Sequence, residues 1–220
     1  MTSSSSGPVS GPPVGGSWQR TDLELTVDPD ARGLWTGLRA GSRTWVDAGR
    51  PGREVFAGAG EGHGQASERG WQPAAERMDR LGQPTGSAGW RVVTDDGTLT
   101  RTVHPLSGAV RVGYRVSALE PWRHEVQLGL VTSGSAETVH GEDGRLVAGS
   151  GWAHAWVLDG DDALGLHWTT EERSDLPLLG LRTGEEDGRR LLAPAVGSVE
   201  QPAPPRRDFS WRLVLTGWRR

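Results

Sequence analysis

The chain has 220 residues, a net charge of −4 at pH 7 and a pI of about 5.9. Its length suits one β-domain or two small domains with a real core, and its mild acidity argues against nucleic acid or an anionic membrane as partner. It has no Cys, which excludes disulfides, Fe–S clusters and Cys-ligated zinc and leaves the redox compartment open.

The first 17 residues, MTSSSSGPVSGPPVGGS, lack the basic and apolar regions of a secretory signal. They are expected to form a disordered Ser/Gly/Pro tail ahead of a single domain over 18–220. No apolar run reaches bilayer length, so the expectation is a cytoplasmic bacterial protein without a membrane partner. Lys, Asn and Ile are also missing, and all 24 basic residues are Arg. Those three types have AT-rich codons, so an actinobacterial-type, high-GC coding sequence explains the Arg usage without a phosphate ligand.

Short apolar runs follow at Asp22–Val27, Leu34–Arg39 and Arg43–Asp47. Residues 51–88 have little periodicity, with a short helix expected at Ala74–Leu81. Runs resume at Gly89–Thr94, Thr98–Val103, Ala109–Ser117, His124–Thr132 and Arg145–Ala148. The last four are Gly151–Leu158, Ala163–Thr169, Val196–Glu200 and Phe209–Trp218. Asp-Gly turns lie at Asp96-Gly97, Asp143-Gly144 and Asp159-Gly160. Period-2 alternation between such turns predicts an all-β, antiparallel sandwich. Residues 170–190 read as a second polar, irregular stretch.

Aromatic usage is lopsided, with 11 Trp against 2 Phe and 1 Tyr. Trp offers a flat apolar face and one N–H donor, so it serves either as core filler or as a platform for a sugar ring. The segment Gly151–Thr170 separates these uses. With Gly160-Asp161 as the loop, Trp156 faces Gly165, His154 faces His167 and Trp152 faces Thr169. Strand side chains alternate, so Ala153, Ala155, Val157, Leu164, Leu166 and Trp168 form an apolar core face. Trp152, His154, Trp156 and His167 share the opposite face, where small Gly165 and Thr169 predict a shallow ligand trough. Two opposed His lack the third ligand and support of a metal centre, so neither metal nor organic cofactor is expected.

Glu200 ends an apolar run just before a Pro-rich turn, where partial desolvation would make a carboxyl a proton acceptor near neutrality. Val199-Glu200-Gln201-Pro202-Ala203-Pro204-Pro205 resembles the C-terminal motif of aldose 1-epimerases and other galactose-mutarotase-like proteins. Gly89-Trp90-Arg91-Val92-Val93, the run Thr98–Val103 and the strand through Tyr114-Arg115-Val116 resemble that family's middle section. Leu23–Val27 with Gly33-Leu34, Leu38 and Gly41 resembles its first hairpin.

The resemblance implies a large antiparallel β-supersandwich with its site on the concave face of one sheet. It further implies that a Glu takes the sugar O1 proton while a His protonates the ring oxygen. Glu200 matches that Glu, and His63-Gly64 resembles the family's His-Gly element. The family's second His has no counterpart, since its region reads Gln127-Leu128-Gly129-Leu130-Val131-Thr132, and His154 is the candidate to stand in for it. The expected ligand is a monosaccharide or sugar phosphate, with Arg91, Arg115 and Arg182 as candidates for the phosphate. Three readings stay open: an aldose 1-epimerase-like isomerase, a non-catalytic carbohydrate-binding protein, and a β-sandwich protein-interaction module.

Overall fold

The computed structural model describes residues 12, 14–28, 34–58, 72–73, 88–94, 97–118, 122–140, 152–170, 177–198 and 207–220. Among these there are sixteen strands and no helix. The helix expected at Ala74–Leu81 and the strand at Arg145–Ala148 lie outside them. So do most of the first 17 residues. Pro12 is buried, and the Gly15 carbonyl accepts a hydrogen bond from Arg220 Nη2 at 3.2 Å.

Three antiparallel sheets form. The large, nine-stranded one runs β11 (Glu137–His140), β12 (Ala153–Asp159), β13 (Asp162–Thr170), β16 (Arg207–Arg219), β9 (Ala109–Ala118), β8 (Gly97–Leu106), β7 (Ala88–Thr94) and β6 (Gln72–Pro73). β1 (Gln19–Thr21) pairs with the end of β16. A four-stranded sheet runs β14 (Pro177–Glu186), β15 (Arg189–Ser198), β10 (Trp122–Leu130) and β5 (Arg53–Gly58). A three-stranded sheet holds β2 (Leu23–Asp28), β3 (Leu34–Ala40) and β4 (Arg43–Val46).

The two smaller sheets pack on one face of the large one. The interface takes Val110, Val112, Val116, Leu164, Leu166, Trp168, Leu213 and Leu215 from the large sheet. It takes Val126, Leu128, Leu192, Leu38 and Trp45 from the smaller two. Each strand contributes every second residue, as the pleat requires. This is the expected supersandwich.

The 151–170 hairpin has the expected register, with His154 opposite His167, Trp156 opposite Gly165 and Asp159 opposite Asp162. Its expected core face is buried in full. Of the expected irregular stretch 170–190, residues 171–176 lie outside the described ones and residues 177–190 depart from expectation. Instead of an irregular stretch, β14 and β15, ten residues each, form a hairpin turning at Asp187-Gly188, with φ of 51° and 70°. Two successive left-handed residues match a type I′ hairpin turn. Glu185, Glu186, Arg189 and Arg190 hide that hairpin because its tip is polar and only its base is apolar. The first three residues of the expected run Val196–Glu200 are the far end of β15, and its last two lie outside the described residues.

The pairing registers put one set of connections at a common end of the sandwich. The strand ends flanking residues 119–121, 171–176 and 199–206, which connect in sequence the large sheet and the four-stranded one, meet there. Glu200 belongs to the last of these links, and His63 to the link between β5 and β6. Both lie outside the described residues.

Candidate functional site

One rung of the large sheet carries Trp211, Tyr114 and Arg101 on adjacent strands, all facing the four-stranded sheet. Tyr114 stacks on Trp211 with ring centroids 4.4 Å apart and planes at 20°. Across the interface, His124 packs edge-on against both rings, at 4.6 Å and 5.2 Å. Trp211 Nε1 donates to His124 Nδ1 at 3.0 Å. A neutral His124 therefore carries its proton on Nε2.

Glu54 completes the cluster. Its Oε1 accepts from Arg101 Nη1 at 2.7 Å, from the Tyr114 hydroxyl at 2.9 Å and from Trp35 Nε1 at 3.1 Å. Glu54 pairs with Val126 and His124 pairs with Phe56, so Glu54 and His124 are diagonal neighbours on one face. All of these side chains are buried, with Arg101 and His124 at 0% exposure. Among the described residues, Glu54 Oε2 and His124 Nε2 have no hydrogen-bond partner. Burial, then the nearby Arg101 charge, pushes the His124 imidazole down to about 3. Burial, then the Glu54 carboxyl, pushes the Tyr114 phenol well above its usual range. At neutral pH the site thus holds a neutral imidazole and a neutral phenol beside an Arg–Glu pair.

These residues were not singled out in the sequence, yet their strands carry a signal. Arg101 sits between Leu99 and Val103 in the inward register, and Tyr114 between Val112 and Val116. His124 precedes Val126 and Leu128 in the same way. A charged or polar residue in the apolar register of a buried strand breaks the binary pattern, and such breaks mark sites.

The residues singled out earlier lie elsewhere. Trp152, His154, Trp156 and His167 stand on the outer face of the large sheet, on the opposite side from the rung. His154, Trp156 and His167 lie together. His154 Nδ1 lies 2.7 Å from His167 Nδ1, and Trp156 packs against both rings. The open trough does not form, however. Trp156 is 4% exposed and His167 is 0% exposed, while Trp152 and His154 are half-buried.

β16 supplies the reason. Thr216 Oγ1 lies 2.5 Å from where a Gly165 Cβ would be and meets His167 Nε2 at 3.1 Å. Trp218 Nε1 donates to the same oxygen at 2.9 Å. Gly165, one of the small residues that suggested a trough, makes room for this neighbour. Arg212 lies over the Trp152 ring at 5.8 Å. Of the phosphate candidates, Arg115 is exposed on the outer face, and Arg182 is bound to Glu125 Oε1 at 2.5 and 3.0 Å. The Arg91 side chain lies outside the described residues. The inner arginine is Arg101.

Among the described residues, no group of three or more His, Asp or Glu could hold a metal ion. Nor is any helix there long and apolar enough to cross a membrane.

No family model and no curated protein sequence matches the chain. Solved structures do match its fold. A galactose mutarotase-like protein from Lactobacillus casei ATCC 334 superposes with a TM-score of 0.57 at 10% identity, covering 90% of this chain and 97% of that one. A protein from Synechocystis sp. PCC 6803 gives 0.55 at 13% identity, covering 96% and 99%. A candidate aldose 1-epimerase from Escherichia coli K12 gives 0.53 at 9% identity, covering 91% and 99%. The fold is galactose-mutarotase-like.

Proposed function

We propose that this chain binds a monosaccharide or sugar phosphate against the inner rung of Trp211, Tyr114 and Arg101. One observation carries the reading. Glu54 Oε2 is an acceptor and His124 Nε2–H a donor, both buried, neighbouring and without a partner among the described residues. A sugar hydroxyl donates and accepts at once, so one hydroxyl can serve both. The stacked Tyr114–Trp211 pair adds the flat aromatic surface that sugar C–H faces favour, and the Arg101–Glu54 pair adds charged hydrogen-bonding groups. The ligand would enter from the end of the sandwich where β9 ends and β16 begins.

The mutarotase-like fold raises the question of ring opening. That reaction needs a base at O1 and an acid at the ring oxygen. Glu200, two residues beyond β15, is the proposed base. His124 stays neutral down to about pH 3, so it donates a hydrogen bond but delivers no proton near neutrality. His154 is on the wrong side of the large sheet to reach the rung. His63 is then the candidate acid for an active epimerase. The chemistry on this chain's own groups favours binding over fast anomer interconversion.

A second reading puts the sugar on the outer face, against the half-buried Trp152 and His154. Titration with common aldoses and their 6-phosphates, followed by Trp fluorescence, separates the two. We expect a saturable signal that Trp152→Ala leaves intact and His124→Gln weakens, with polarimetry showing mutarotation at the buffer rate. Loss of binding in Trp152→Ala moves the site outward. A rate enhancement that Glu200→Gln removes while binding persists makes the protein an epimerase. If no sugar changes the fluorescence or the melting temperature, the carbohydrate reading fails and the protein-interaction module remains.

A further inference from the structure

His154 and His167 sit directly opposite each other on β12 and β13, and their rings meet edge-on with the Nδ1 atoms 2.7 Å apart. Sugar binding at the inner rung does not use them. We infer that this imidazole pair is a proton-operated latch that keeps Trp156 covered at neutral pH and uncovers it in mild acid.

The geometry of the pair carries the inference. Two ring nitrogens at 2.7 Å hold one proton between them, donated by one ring to the lone pair of the other. Thr216 Oγ1 accepts from Trp218 Nε1 at 2.9 Å and so can donate to His167 Nε2 at 3.1 Å. The proton of neutral His167 then sits on Nδ1, aimed at the Nδ1 lone pair of His154. A further proton at His154 Nδ1 sets two N–H donors head to head, and the contact must open.

The two rings are unequally free to move. His167 is fully buried and held by Thr216. Burial, then His154, then the Arg20 charge push its pKa down to about 3. His154 is half-buried, and burial lowers its pKa below the ordinary 6.5. His154 is therefore the ring that takes the added proton and turns toward water. Its pKa is lowered in the closed arrangement, so protonation favours the open one, and the latch opens as pH falls below 6.5. The described charges nearby do not hold the charged ring in place. Arg20 of β1, Arg212 of β16 and Arg111 of β9, which shares the rung through Val214, are all positive. Glu137 of β11 is the one carboxylate among the described outer-face side chains of the neighbouring strands, and it opposes Leu158, two rungs from His154.

Trp156 is what the latch covers. His154 stacks on it with centroids 5.7 Å apart, and His167 meets it edge-on at 5.6 Å. Trp156 is 4% exposed, and its Nε1 has no hydrogen-bond partner among the described residues. When His154 turns away, one indole face and this buried donor gain access to water, which favours the open arrangement. The outer face then presents Trp156 in line with the half-buried Trp152. The latch stands whether or not a sugar binds the inner rung.

The test is nitrogen-15 NMR of the full chain from about pH 7.5 to about pH 5, with far-UV circular dichroism and acrylamide quenching of Trp fluorescence over the same range. Expected at the upper end is a scalar coupling between the two Nδ1 nuclei through the shared proton. It should vanish as His154 protonates, while the far-UV signal stays constant and quenching by acrylamide rises. Trp156→Phe should remove that rise, and His154→Gln, which has no titrating ring, should show none. Absence of the coupling at the upper end overturns the latch, as does a His154 still neutral at the lower end. So does a coupling that survives protonation of His154 or disappears only together with the far-UV signal, or a quenching rise that Trp156→Phe leaves unchanged.

Discussion

A methyl group added at Gly165 would lie 2.5 Å from Thr216 Oγ1 and 2.9 Å from His167 Nε2. Neither atom can retreat, since Thr216 is bonded to Trp218 and His167 is opposed by His154. Gly165→Ala is therefore expected to destabilise the fold by about 1–3 kcal/mol, as overpacking does, measured by urea denaturation. Trp168 presents the opposite problem. It is 0% exposed in the interface between sheets, and Trp168→Ala leaves a large void there. The expected cost is roughly 3–5 kcal/mol, and a cost below about 1 kcal/mol would put Trp168 outside the core. His124 and His167 make stability depend on pH. Both have folded pKa values near 3, below the ordinary 6.5. The unfolded chain thus binds more protons between those limits, and stability falls as pH drops from about 6.5 toward 3. Urea midpoints measured across that window should decline steadily, and His124→Gln should flatten the decline. Asp159 adds a second loss at lower pH. Burial opposes its ionisation, but hydrogen bonds from Ser133 and the Arg43 charge outweigh burial and hold its pKa below the usual range.

The hairpins show what was legible in the chain and what was not. β12–β13 could be read to the residue because Asp159-Gly160 fixes its turn and Ala/Leu/Trp alternation fixes its faces. Burial on the second face could not be read, because it depends on Thr216 and Trp218 from a strand some fifty residues later. β14–β15 carries the same kind of turn signal at Asp187-Gly188, but its charged tip masked the alternation. Asp187 holds a left-handed conformation, with φ of 51°. Asp tolerates that region better than most residues, and β-branched side chains do not. Asp187→Val is expected to cost about 1–2 kcal/mol, read from the urea midpoint, with far-UV circular dichroism unchanged at low denaturant. The inner rung was the harder case. Arg101, Tyr114 and Trp211 are dispersed over 110 positions, and only the pairing of β8, β9 and β16 lines them up.

One oxygen binds the molecule together. Glu54 belongs to the four-stranded sheet, and its Oε1 is gripped by Trp35 of the three-stranded sheet and by Arg101 and Tyr114 of the large one. The pair with Arg101 is buried at both ends, at 1% and 2% side-chain exposure. Removing one partner of such a pair strands the other, so Glu54→Ala is expected to cost about 3–5 kcal/mol in urea denaturation. A second clasp works at the far end. Asp159 at the tip of β12 takes hydrogen bonds from Arg43 of β4 and from Ser133 in the loop after β10, again joining the large sheet to elements of the other two. Fastened at both ends, no sheet can open without breaking contacts of the other two. The consequence concerns how the fold comes apart. The molecule should behave as a single cooperative unit in native-state hydrogen exchange, with the slowest amides of all three sheets exchanging at one shared opening free energy. Glu54→Gln, which keeps shape while weakening the grip, should lower that shared limit in every sheet together, whereas a sheet that exchanged on its own would show the fastening to be local.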